Sequence, residues 1–169
     1  MKKIFYMIIA LSLFSCKQYK PLQTVNNVDI EKYAGKWYEI AAFPQVFQKG
    51  CSCSSAEYFT TSKNYVKVVN TCTVDGKQKK VEGKAFIVKG TGNSKLKVQF
   101  FWPFKGKYWI IYLENDYSIA VVGHPNRQYL WILARDKKIS EEKYNSILEF
   151  LKNNDFDISK LVKTVHVCS

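Results

Sequence analysis

Gly35-Lys36-Trp37-Tyr38-Glu39-Ile40-Ala41 decides how the rest of the chain reads. A glycine two places ahead of a tryptophan lets the backbone turn in close to a neighbouring segment. Trp37 must then bury a ring of roughly 150–250 Å². The apolar and polar residues that follow it read as a strand. A tryptophan entering the core on the first strand fits a plug at one end of a closed sheet.

Downstream, runs of strand-forming residues alternate with turn signals. Strands are expected over 37–42, 54–61, 65–74, 79–89, 96–100, 108–113, 117–123 and 129–135. Ser62-Lys63-Asn64, Asp75-Gly76, the 90–94 stretch, Pro103 to Gly106, Glu114-Asn115-Asp116 and His124-Pro125-Asn126-Arg127 punctuate them. Leu96, Val98 and Phe100 alternate with Lys97 and Gln99, a period of two. Residues 108–113 are almost all apolar, as in a strand buried on both faces. Eight strands at hairpin spacing can hide their edges only by closing into an all-β, antiparallel up-and-down barrel. Gly90-Thr91-Gly92-Asn93-Ser94-Lys95 superficially resembles a phosphate loop, but a strand follows it where a helix N-terminus would be needed.

The period changes at Ser140, a good N-cap followed by Glu141 and Glu142. Tyr144, Ile147, Leu148 and Leu151 form a helical stripe, expected to pack on the outside of the barrel. A short ninth strand is expected over 161–167.

The other end of the chain indicates the compartment. Lys2 and Lys3 precede an apolar run over 4–14, too short for the ~20 residues that span a bilayer. Residues 1–15 read as a signal peptide. Leu13-Phe14-Ser15-Cys16 has the form of a lipobox, with Cys16 as the lipidated mature N-terminus. Residues 16–28 read as a lipidated tether, because they are polar, contain a proline and lack periodicity. The folded domain is expected over 29–169. Lys17, not Asp, follows Cys16, which under the enterobacterial sorting pattern favours the outer membrane.

The formal net charge is +12, and the two leader lysines contribute to it. Such a surface suits an acidic partner such as anionic lipid, or is simply a basic solvated surface. Arg127 and Arg135 are the only arginines among 26 basic residues. Dedicated phosphate or base readout favours arginine, so nucleic acid is not an expected partner. In an exported chain Cys51, Cys53, Cys72 and Cys168 read as two disulfides, with three pairings open. A metal site is the weaker reading, since zinc-type spacing and a nearby histidine are both missing.

The chain resembles the lipocalin family, and within it the bacterial outer-membrane lipoprotein lipocalins and apolipoprotein D-like proteins. Gly35 to Ala41 matches the first family motif. Asn115-Asp116-Tyr117 matches the second, usually Thr-Asp-Tyr, with Asn as a departure. Leu130-Trp131-Ile132-Leu133-Ala134-Arg135 matches the third. Phe100-Phe101-Trp102-Pro103-Phe104 and Asp155-Phe156-Asp157-Ile158-Ser159-Lys160 are similar to the bacterial branch. The resemblance implies an eight-stranded barrel that holds one small hydrophobic ligand, here a fatty acid or lysophospholipid, with roles in lipid storage, transport or envelope maintenance. It implies that Arg135 lies across Trp37 at the closed end, with Gly35, Asp116 and Tyr117 as motif residues. It implies a Cys53–Cys168 bridge, which leaves Cys51 with Cys72; Cys51 in place of Cys53 stays open. Tyr58 and Trp131 carry over as cavity residues by motif, while Phe100 and Tyr112 are added from strand alternation alone.

Catalysis is not expected. His124 in a turn and His166 near the end read as surface or structural groups, although a few lipocalins are isomerases or epoxide-handling enzymes. No cofactor is expected either, because no axial-ligand motif supports a tetrapyrrole carrier. A homodimer stays open.

Overall fold

The computed structural model describes residues 19–168. The leader expected over 1–15 and the lipidation expected at Cys16 lie outside them. Among the described residues no helix is long and apolar enough to cross a membrane.

The first elements are a single-turn helix α1 (Ile30–Tyr33) and strand β1 (Gly35–Ala42). Seven strands follow: β2 (Ser52–Phe59), β3 (Val66–Val74), β4 (Lys77–Ile87), β5 (Lys95–Gln99), β6 (Gly106–Leu113), β7 (Ile119–Gly123) and β8 (Leu130–Ala134). Helix α2 (Glu141–Asn153) and the two-residue strand β9 (Val162–Lys163) complete the chain. Each strand from β1 to β8 pairs antiparallel with the next, and β8 pairs back onto β1, so the sheet closes. The first half of β1 faces β2 (Gly35 opposite Tyr58), while Ala41 and Ala42 face β9. The expected all-β barrel with one outer helix is the observed fold. The ninth strand is shorter than expected, because past Lys163 the chain makes single bonds, Thr164 to Ile40 and Val165 to Cys53.

Two apolar cores divide the wall. Trp37, Tyr58, Val68, Ile110, Ala120, Val122 and Leu133 fill the barrel. Ile119, Val121, Leu130 and Ile132 face outward and pack against Tyr144, Ile147 and Leu151 of α2. Strands β7 and β8 are therefore apolar at every position because both their faces are covered. Ser140 caps α2 by accepting from the Lys143 backbone N–H at 3.2 Å.

Residues 19–28 correct the tether expectation. Leu22 and Val28 are buried, the Val25 N–H donates to the Ile110 carbonyl, and the Val28 N–H donates to the Gly92 carbonyl. This stretch runs along the barrel from the β7–β8 loop to the opposite end. Isolated apolar residues three apart carry no strand or helix period, so burial against a preformed wall is invisible in the pattern.

The closed end is built around the opening motif. Trp37 is fully buried, and its indole N–H donates to the Tyr33 carbonyl at 2.8 Å. The Arg135 guanidinium sits 3.9 Å from the Trp37 ring centroid. It also donates to the backbone carbonyls of Lys32, Tyr33, Ala34, Lys36 and Tyr117. Gly35 has φ +89°, a conformation that L side chains rarely adopt, and lies in van der Waals reach of the Arg135 guanidinium. The Asp116 carboxylate accepts from the Ser118 N–H and hydroxyl, and the Tyr117 hydroxyl accepts from the Asp29 N–H at 2.9 Å. The Cys53–Cys168 and Cys51–Cys72 bridges are present, with Cα–Cα separations of 6.4 and 5.5 Å. Both lie at the other end of the barrel.

Candidate functional site

A cavity of about 740 Å³ occupies the barrel above the Trp37 plug and opens between the β1–β2, β3–β4, β5–β6 and β7–β8 loops. That volume lies within the ~300–1,000 Å³ usual for small-molecule sites. Its lower part is tyrosine. The Tyr108 hydroxyl lies 2.8 Å from both the Tyr58 and Tyr33 hydroxyls, so the three form one hydrogen-bonded chain. Burial pushes the Tyr58 phenol up to about 12, and pushes those of Tyr33 and Tyr108 well above their ordinary value. All three are neutral in ordinary buffers, so this end of the cavity is polar but uncharged.

Val68, Val98, Phe100 and Leu133 form apolar wall. Gly83 makes room for the Phe100 ring: a Cβ there would approach it to 2.8 Å. Higher up, the Trp131 indole donates to the Gln48 side-chain oxygen at 3.3 Å, and the Gln48 amide donates to Glu39 at 2.8 Å. The other Glu39 oxygen accepts from the Thr164 hydroxyl at 2.6 Å. Lys49, Lys79, Lys80 and Lys107 line the mouth.

Of the four expected cavity residues, Tyr58, Phe100 and Trp131 line the cavity and Tyr112 does not. Tyr112 faces outward, its ring 5.4 Å from that of Phe150 on α2 and its hydroxyl bonded to Glu114. The cause is a register irregularity between Ile110 and Tyr112 in the β6–β7 pairing. Tyr108 and Ile110 point inward, Ile111 and Tyr112 both point outward, and the alternation reverses. Sequence reasoning also missed Tyr108, although the same alternation would have found it, and Glu39, which looked like the polar face of the first strand.

His124 takes the structural role of the two expected of it. It lines the mouth, and burial lowers its pKa. Its Nδ1 accepts from the Asn126 N–H at 3.2 Å, a structural bond within the β7–β8 turn. His166 contacts the backbone carbonyl of Glu39 through Nε2, not its carboxylate. Among the described residues no hydrogen bond couples an imidazole to a carboxylate, the pairing that would prepare a general base.

A closed barrel with an interior cavity, plugged at one end and open at the other, is an architecture suited to binding a small molecule. The chain belongs to the lipocalin family: residues 28–166 match the lipocalin-like domain. It is 37% identical over 154 residues to temperature-induced lipocalin-1 of Arabidopsis thaliana, covering 86% of this chain and 83% of the relative. It is 33% identical to the outer membrane lipoprotein Blc of Vibrio cholerae, covering 96% of this chain and 97% of the relative. Insecticyanin of the tobacco hornworm Manduca sexta has the same fold, with a TM-score of 0.71 at 23% identity and coverage of 87% and 85%.

Proposed function

We propose that this protein is a non-enzymatic lipid carrier. It takes up one single-chain lipid, a fatty acid or lysophospholipid, while anchored to the bacterial outer membrane through lipidated Cys16. The observation that carries the reading is the cavity itself: about 740 Å³ with apolar walls, a neutral tyrosine floor and lysines at its mouth. The acyl chain lies along Val68, Val98 and Phe100, and the anionic head stays among Lys49, Lys79, Lys80 and Lys107. Binding is driven by burial. The roughly fifteen apolar carbons of a palmitoyl chain contribute ~12 kcal/mol, which leaves micromolar affinity when association costs about 4 kcal/mol. The match to an outer membrane lipoprotein over nearly its whole length supports the envelope placement.

Native mass spectrometry of the protein after exposure to palmitate and to lysophosphatidylethanolamine tests the binding. One retained acyl ligand per chain is expected, with a change in Trp131 emission that is lost in Trp131→Phe. A chain that emerges empty from both lipids overturns the reading.

A further inference from the structure

The cavity mouth is surrounded by side chains that the binding reading does not use. Val46 and Phe47 in the β1–β2 loop are 94% and 70% exposed. Phe101, Trp102 and Phe104 in the β5–β6 loop are 72%, 86% and 78% exposed. Phe47, Phe101 and Phe104 also line the cavity, so the two loops meet across one opening. Soluble monomers rarely leave so much large apolar surface together without a partner.

The charge around this patch is almost entirely positive. Lys49, Lys77, Lys79, Lys80, Lys105 and Lys107 belong to the same loops and the strand ends beside them, and all six are exposed. Asp75, at the tip of the β3–β4 hairpin, is the single acid across 44–51, 74–80, 100–107 and 123–129. Aromatic rings flanked by long basic chains match a bilayer interface: the rings enter at headgroup depth and the ammonium groups reach the phosphates.

The N-terminal run points the same way. Arg127, in the β7–β8 loop at the mouth, is 6% exposed. It donates to the carbonyls of Pro125 at 2.6 Å, Lys20 at 2.7 Å and Asn154 at 3.1 Å, and lies 5.2 Å from the Tyr19 ring centroid. Residues 19 and 20 are therefore pinned at the open end. Cys16 is three residues earlier, within ~10–11 Å of Tyr19 at full extension. A lipid on Cys16 would enter the bilayer beside the mouth and far from the Trp37 plug.

We propose that the open mouth docks directly on the anionic phospholipid surface that carries the anchor, with Phe47, Phe101, Trp102 and Phe104 inserted and the lysines on lipid phosphates. The cavity then opens onto the bilayer, and a single-chain lipid can pass between the two without crossing water. This inference rests on the lipoprotein reading above and adds its orientation. A second copy of the chain is the poorer occupant, because two mouths face to face would set six lysines against six.

The test uses the processed full-length protein, reconstituted into vesicles of phosphatidylglycerol with phosphatidylcholine and into phosphatidylcholine alone. Lipids brominated high on their acyl chains are expected to quench a component of the fluorescence that disappears in Trp102→Phe. Phe101→Ser with Phe104→Ser should withdraw Trp102 from that quencher. Lys79→Gln and Lys105→Gln should each lower the ratio of inserted to withdrawn Trp102 by about fivefold on the anionic vesicles, with little change on the neutral ones. Trp102 that stays as open to aqueous acrylamide on vesicles as in dilute detergent overturns the docking. So does Trp102 shielded in a lipid-free dimer, which would make the patch a contact between copies. Mass analysis of the N-terminal peptide reads the anchor separately. A bare Cys16 would sink the lipoprotein reading, while the Trp102 signal still decides whether the mouth docks.

Discussion

The two ends of this barrel satisfy their side chains in opposite ways. At the closed end Trp37 is fully buried, its N–H is bonded, and Arg135 joins five backbone carbonyls from three different segments. At the open end Phe101, Trp102 and Phe104 project into solvent beside a row of lysines. Interior packing holds the first end, where each contact supports others. The second is free of that demand and can be shaped for a ligand and a surface. A motif at the closed end therefore reports on folding, and residues at the open end report on function.

The largest expected break in this contrast is Trp37→Ala. Loss of a fully buried ring should destabilise the domain by ~3–5 kcal/mol in denaturant unfolding. Lipid binding should suffer only in proportion to the unfolded fraction. A variant that stays fully folded yet loses its ligand would place Trp37 in the binding site and undo the division between the ends.

The bridges come next, since both lie at the open end, where packing is thinner. Cys53–Cys168 spans 115 residues and Cys51–Cys72 spans 21. Each contributes on the order of 2–4 kcal/mol, and the loop-entropy difference favours the longer one by ~1.5 kcal/mol. Cys53→Ser with Cys168→Ser should therefore lower the unfolding midpoint further than Cys51→Ser with Cys72→Ser. Equal losses would mean that the C-terminal segment is already held by its hydrogen bonds to Ile40, Cys53 and Glu39.

The same contrast explains what the sequence could disclose. The plug was legible because Gly35, Trp37 and Arg135 stand in the lipocalin motifs, and the resemblance implied that Arg135 lies across Trp37. The barrel was legible because eight strand-like segments at hairpin spacing have one economical closure. Tyr112 was misread because a bulge is a feature of pairing geometry, with no mark in the alternation of 108–113. The packing of Leu22, Val25 and Val28 was missed because it depends on a groove formed by distant strands. The tyrosine chain was missed because it joins α1, β2 and β6, segments 25 to 75 positions apart. Helix α1 left one trace, Asp29, whose carboxylate accepts from the Glu31 and Lys32 N–H groups as a cap.

Where the two ends meet, the tyrosine chain offers a milder probe. Tyr58→Phe removes one hydroxyl and should cost ~0.5–1.5 kcal/mol at neutral pH. It should also change the alkaline limb. Burial raises the Tyr58 phenol to about 12 in the folded protein, whereas a tyrosine in the unfolded chain titrates near ~10. The unfolded state thus releases its proton first. The stabilisation is complete below about pH 10 and is lost as pH rises towards 12. Unfolding followed by circular dichroism across that window should show a shallower loss in Tyr58→Phe than in the parent. Identical slopes would mean that the phenol is open to solvent in the folded state.

The smallest expected effect on stability is at the rim, and its smallness is what makes it decisive. Phe101→Ser and Trp102→Ser remove exposed rings that fill no core, so each should change the unfolding free energy by less than about 0.5 kcal/mol. Removing exposed apolar surface can even raise solubility. Natural loops keep three large rings in water only where something other than folding requires them. If either substitution costs as much as Trp37→Ala, the loop is packed in solution and the open end is held together as the closed end is. If both are silent in denaturant while Phe101→Ser withdraws Trp102 from the brominated lipid, the rings serve contacts made outside the fold, and the two ends divide stability from function as their chemistry indicates.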